Sequence, residues 1–198
     1  MTLKKGLPVY QLQINAEDEE SGVNFVALVD NPAIECNWLA FNKYEENTVQ
    51  RFSADEEKRI ISGPLMVADM PIYRKDKYGE YYVKFDSQAI NQIVLKFFKN
   101  QNTGAVNKMH DPSQLVDGVY MFESFVINSQ RMPAPKGFED LPDGSWFGSY
   151  KVDNEAVWNE IKAGTFKGFS VEGMFIPERT GDVVEAAMLA LIEAVINT

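Results

Sequence analysis

The run Gly118-Val-Tyr-Met-Phe-Glu-Ser-Phe-Val-Ile127 is the most apolar strand candidate in the chain. It constrains the fold because it is one of a series. Residues 9–14, 23–29, 59–67, 71–74, 80–85, 106–110 and 145–152 are also short runs rich in β-formers, set apart by Gly, Pro, Asn and Asp. Such punctuation marks turns. The run 59–67 is interrupted by Gly63-Pro64, and 71–85 reads as a hairpin across a turn containing Gly79. Helical spacing is confined to three places. Ile90, Ile93, Val94, Phe97 and Phe98 form one apolar stripe of a helix over 88–99, with Ser87 as its N-cap. Asp153 is expected to cap a short helix that turns Val157, Trp158 and Ile161 inward and ends at Gly164. Asp182 opens a nearly all-apolar segment, 183–196, wetted only by Glu185 and Glu193. A helix of that composition needs burial, in its own domain or against a second subunit. Strands and helices do not alternate in strict βαβ order. The expectation is therefore an α+β fold with a mixed or antiparallel β-barrel-like core and flanking helices.

Charge and residue counts remove several function classes. The 198 residues carry a formal charge of −10, which disfavours binding to bare nucleic acid. No eighteen-residue apolar run suggests a membrane-spanning helix, and the N-terminus lacks the apolar core of a signal peptide, so a reducing cytoplasm is the default. Cys36 and His110 are each the sole residue of their type. A disulfide, a Cys-rich zinc site and a two-histidine metal site within one chain are excluded, and no cofactor is expected. Any imidazole base must be His110. Cys36, beside Trp38, reads as a small filler more readily than as a partner of His110.

The candidate chemistry centres on Gly164-Thr-Phe-Lys-Gly-Phe-Ser-Val-Glu-Gly-Met-Phe175. Ser170 lies between Phe169 and Val171, with glycines at 168 and 173. That setting suits a nucleophile approached by backbone, and equally a core strand with one buried hydroxyl. Glu123, amid an apolar strand, costs free energy unless paired; it either lies on a wet face beside a lysine or holds His110. The loop 128–144, with Pro133, Pro135 and Pro142, has the length of a segment that edges a binding site.

Taken in order, these residues resemble the XkdF-like prohead serine proteases of tailed phages. The resemblance is carried by Val29-Asp-Asn-Pro-Ala33, by 118–127 with its Glu-Ser pair, by Gly144-Ser-Trp146, by the Trp158-to-Gly164 helix and by Gly168-Phe-Ser-Val-Glu-Gly173. It covers about residues 23 to 176, and the wider family is similar in fold to herpesvirus assemblin. It implies Ser170 as nucleophile, His110 as general base and an acid as third member. Glu123 is the first choice, and Glu172, two residues from Ser170 on the same strand face, is the runner-up. Backbone N–H groups, Arg131 or Lys167 would serve the oxyanion. The expected domain is 1–178, with 1–58 as a candidate extension; the C-terminal helix, 179–198, lies outside the resemblance and is expected to serve as an interface or linker segment. The implied substrates are scaffold and major capsid protein, and the chain itself, inside the assembling procapsid of the host cytoplasm. A homodimer is expected, with no nucleic acid and no membrane partner. Two other classes stand beside this reading: an inert assembly protein of the same fold, and a peptide-binding module in which His110 and Ser170 are ordinary residues.

Overall fold

The computed structural model describes residues 6–30, 39–40, 58–77 and 79–183. Twelve strands, two α-helices and one 3-10 turn fall among them. The Cys36 segment, the polar stretch 42–57 and the expected C-terminal helix from 184 onward lie outside the described residues. Asp182 and Val183 end a strand instead of opening that helix.

The expected barrel is not formed. The strands make three open four-stranded sheets. The first joins β1 (Pro8–Gln13), β5 (Ile72–Asp76), β6 (Gly79–Lys84) and β12 (Ile176–Val183) in the order β12-β1-β6-β5. The second joins β3 (Leu39–Ala40), β4 (Ile60–Met66), β9 (Val119–Val126) and β10 (Trp146–Val152) in the order β3-β4-β10-β9. The third joins β2 (Gly22–Val29), β7 (Val106–Lys108), β8 (Asp111–Leu115) and β11 (Gly168–Met174) in the order β11-β2-β7-β8. The edge strands carry features that oppose further pairing. β8 contains Pro112, β12 contains Pro177, and β5 exposes Arg74, Lys75 and Asp76. Among the described residues the fold is dominated by sheet, with α1 (Ser87–Lys99) and α2 (Glu155–Lys162) as its α-helices.

Gly63-Pro64 does not break β4. Pro64 lies opposite Phe147, while β3 pairs β4 only at Ser62 and Ile61. Among the described residues no β3 residue is paired with Pro64, so its missing N–H interrupts no described β3–β4 ladder bond.

One core unites the second and third sheets with both helices. Ala89, Ile90, Ile93 and Phe97 of α1 are buried, whereas Phe98, at the margin of the stripe, is 41% exposed. Phe97 meets Trp146 edge-on at 5.1 Å, and Tyr150 of β10 lies 4.9 Å from Phe169 of β11. Trp146 satisfies its indole N–H on Ser124 Oγ at 2.8 Å. Both helix caps fall one residue from their expected places. Asp86, not Ser87, accepts Ala89 N–H at 2.7 Å, and Asn154, not Asp153, accepts Val157 N–H at 3.1 Å. Asp86 also accepts from Gln11 of β1, a link to the first sheet.

Candidate active site

The third sheet assembles the site by register. Ser170 of β11 stands opposite Ala27 of β2, and Ala27 opposite Asn107 of β7. Phe169, Leu28, Val26 and Val106 belong to the core, so the alternating residues Ser170, Ala27 and Asn107 occupy the other face. That face is also covered: Ser170 is 8% exposed, Ala27 0% and Asn107 1%. Ala27 puts only a methyl between its polar flankers, which lets long side chains on β11 and β7 reach each other above it.

Glu172 makes that reach. Its Oε1 accepts from Asn107 Nδ2 at 2.7 Å and lies 3.2 Å from His110 Nδ1. The Glu172 side chain is 26% exposed and that of His110 45%. A carboxylate at Nδ1 favours the tautomer that leaves Nε2 free as a base.

His110 gets its position from the turn between β7 and β8. Lys108 pairs with Asp111, so Met109 and His110 alone make the reversal. Both have positive φ, 52° and 59°, the sign pattern of a type I′ hairpin. Such turns favour Asn and Gly; non-glycine residues here store strain of the kind found at functional sites. The turn is pinned by Met109 N–H to Leu28 O at 3.0 Å, and by Lys108 to Glu160 of α2 at 2.6 Å. On its far side Asp111 accepts from Ser113 N–H, Ser113 Oγ and Gln114 Nε2. The bonds from Ser113 and then Gln114 hold its carboxyl below the ordinary value.

Gly173 sets the height of Glu172. A Cβ there would sit 1.7 Å from Gly22 O, so β11 and β2 touch at backbone level, and the register shifts between Glu172 and Gly173. The close approach this glycine permits is thus to the neighbouring strand.

Glu123 lies elsewhere. It is exposed, on β9 of the second sheet, opposite Ser149. Val119 and Met121 point inward and strict alternation would carry Glu123 in after them. The β9–β10 register slips between Ser149 and Tyr150, leaving Phe122 as an extra residue, and a bulge of this kind changes which residues face out. The acid beside the imidazole is the runner-up, Glu172. Ser170 Oγ and His110 form no hydrogen bond within 3.5 Å. Lys167 is exposed one residue before β11, and Arg131 is exposed in the turn following β9. Asn107 carried no sequence-level reading; the signal available was an amide in a strand between Val106 and Lys108, where amides are disfavoured.

A family model described as "Putative phage serine protease XkdF" matches residues 48–177, which include His110, Glu172 and Ser170. No curated protein and no solved structure gives a significant match, so the likeness to assemblin has no support from a solved fold.

Proposed function

The chain belongs to the phage serine protease family matched over 48–177, and from that premise we propose that it is a serine endopeptidase whose working groups are Ser170, His110 and Glu172. The observation that carries the reading is the placement of Glu172 Oε1 3.2 Å from His110 Nδ1, on the strand that bears Ser170. Ser170 Oγ attacks the scissile carbonyl carbon, and its proton passes to His110 Nε2. Glu172 faces the imidazolium that results. The tetrahedral adduct collapses by cleaving the C–N bond, with the proton returned from Nε2 to the leaving amine. Water, deprotonated by the same nitrogen, then hydrolyses the ester and frees Ser170. His110 swings toward Ser170 as the peptide binds, since such bonds tighten in the complex, and its half-exposed ring has room to do so.

The substrates we assign are scaffold protein and scaffold segments of the major capsid protein, with self-cleavage, inside the assembling procapsid of the host cytoplasm. Self-association through the apolar segment 183–196 is part of the same proposal. The test is coexpression with the scaffold and capsid proteins, read by mass spectrometry of the particles. Cleavage by the wild type and none by Ser170→Ala is the expected result. Fragments that persist with Ser170→Ala would remove Ser170 from the role.

A second reading is an assembly protein that keeps the fold without activity. What favours it is the 8% exposure of Ser170 and its lack of a bond to His110. Intact substrates in particles containing the wild-type chain would select it.

A further inference from the structure

We propose that Asn107 is a positioning residue of this site, acting through Glu172 to fix the tautomer of His110. The inference rests on the hydrolase reading above for its kinetic consequence, but not for its spectroscopic one.

Asn107 Nδ2 and His110 Nδ1 converge on one oxygen, Glu172 Oε1, at 2.7 and 3.2 Å. The amide is 1% exposed and sits on a three-residue strand whose next residues form the His110 turn. The strand therefore places both the group that orients the carboxylate and the ring that the carboxylate faces. Nothing else is hydrogen-bonded to the Glu172 side chain among the described residues, so its χ angles are otherwise set only by packing. Asn107 Oδ1 is buried without a partner among the described residues. The one side-chain hydrogen bond this buried amide makes among the described residues goes to Glu172. Rotating the amide by 180° would bring Oδ1 against the carboxylate, so the orientation is dictated by Glu172. The tautomer follows: Oε1, held in place, accepts from Nδ1–H and leaves Nε2 without the proton.

The test exploits the fact that His110 is the only histidine. A long-range nitrogen–proton NMR spectrum of the imidazole then reports one ring. In the wild type the neutral ring is expected to carry its proton on Nδ1. Asn107→Leu, close in size, is expected to move the ring toward the Nε2–H form that free imidazole side chains prefer. It should lower kcat roughly tenfold to a hundredfold, by analogy with the loss of outer-shell partners of metal-ligating side chains, with KM little changed. Asn107→Ser, smaller and still polar, is the second variant should leucine prevent folding, and is expected to shift the tautomer in the same direction. A wild-type ring protonated on Nε2 overturns the proposal whatever the variants do. An unchanged tautomer in a folded variant also overturns it, and leaves Asn107 a structural residue. A shifted tautomer in a protein with no Ser170-dependent cleavage would uphold the positioning and reject the hydrolase reading.

Discussion

Gly173→Ala tests whether the height of Glu172 is fixed by backbone contact between β11 and β2. A methyl carbon at 173 would sit 1.7 Å from Gly22 O, 2.7 Å from Gly22 C and 2.9 Å from Val23 Cα. Heavy atoms in contact prefer about 3.5 Å. The strands must therefore part by nearly 2 Å at this point, and the atoms in the way are backbone, so no rotamer change relieves the clash. Overpacking of this kind costs about 1–3 kcal/mol, and this case belongs at the upper end. Parting also lengthens one or two ladder bonds at Glu172–Met174, worth about 1 kcal/mol each. The expected loss is about 3–5 kcal/mol. For a chain of this length it lowers the melting temperature by about 6–20 °C. The assay is urea unfolding followed by tryptophan fluorescence, with Trp146 and Trp158 in the core as probes. Peptidase activity should fall further than the folded fraction, because Glu172 is the adjacent residue. A loss below about 1 kcal/mol with full activity would show that the strands separate freely and refute the reasoning.

Two further outcomes are expected. Glu172→Gln should reduce kcat by about 10⁴-fold, as when the acid of other triads is neutralised, while Glu123→Gln on the exposed face of β9 should leave it within about twofold; the reverse order would restore Glu123 as the orienting acid. Tyr150→Phe should stabilise the protein by about 1 kcal/mol in urea unfolding, since the Tyr150 hydroxyl is buried without a partner among the described residues and an unpaired buried hydroxyl is a net cost. Burial alone raises the pKa of that phenol well above its ordinary value. Destabilisation by the same substitution would mean the hydroxyl is bonded.

Local elements were largely legible. The strands at 22–29, 119–126 and 146–152, the 72–84 hairpin and the stripe Ile90, Ile93 and Phe97 follow from alternation, turn residues and helical spacing. What was not legible depends on partners distant in sequence. The parallel pairings of β1 with β6 and β2 with β7 decide that the strands form three open sheets, and no local pattern encodes them. Glu123 misled because alternation along β9 pointed it inward, and only the mismatch with β10 reveals the slip at Phe122. The caps fall one residue away, at Asp86 and Asn154, because each stretch offers two adjacent oxygen-bearing side chains, Asp86-Ser87 and Asp153-Asn154. For Asp86 the contact to Gln11 settles the matter; for Asn154 the second bond, Nδ2 to Asp117 O, does. Ser170, His110 and the i+2 relation to Glu172 were visible as candidates. The approach of Glu172 to His110 was not, because it needs Ala27 on an intervening strand and a tight turn built without Gly or Asn.

The central claim is that Ser170 is a nucleophile armed by His110. Labelling the full chain with a fluorophosphonate and locating the adduct by peptide mass spectrometry tests it most directly. The expected result is a single adduct on Ser170 that His110→Ala and Glu172→Gln both slow by orders of magnitude. An unlabelled Ser170 in folded protein, or labelling that is indifferent to His110, would contradict the account.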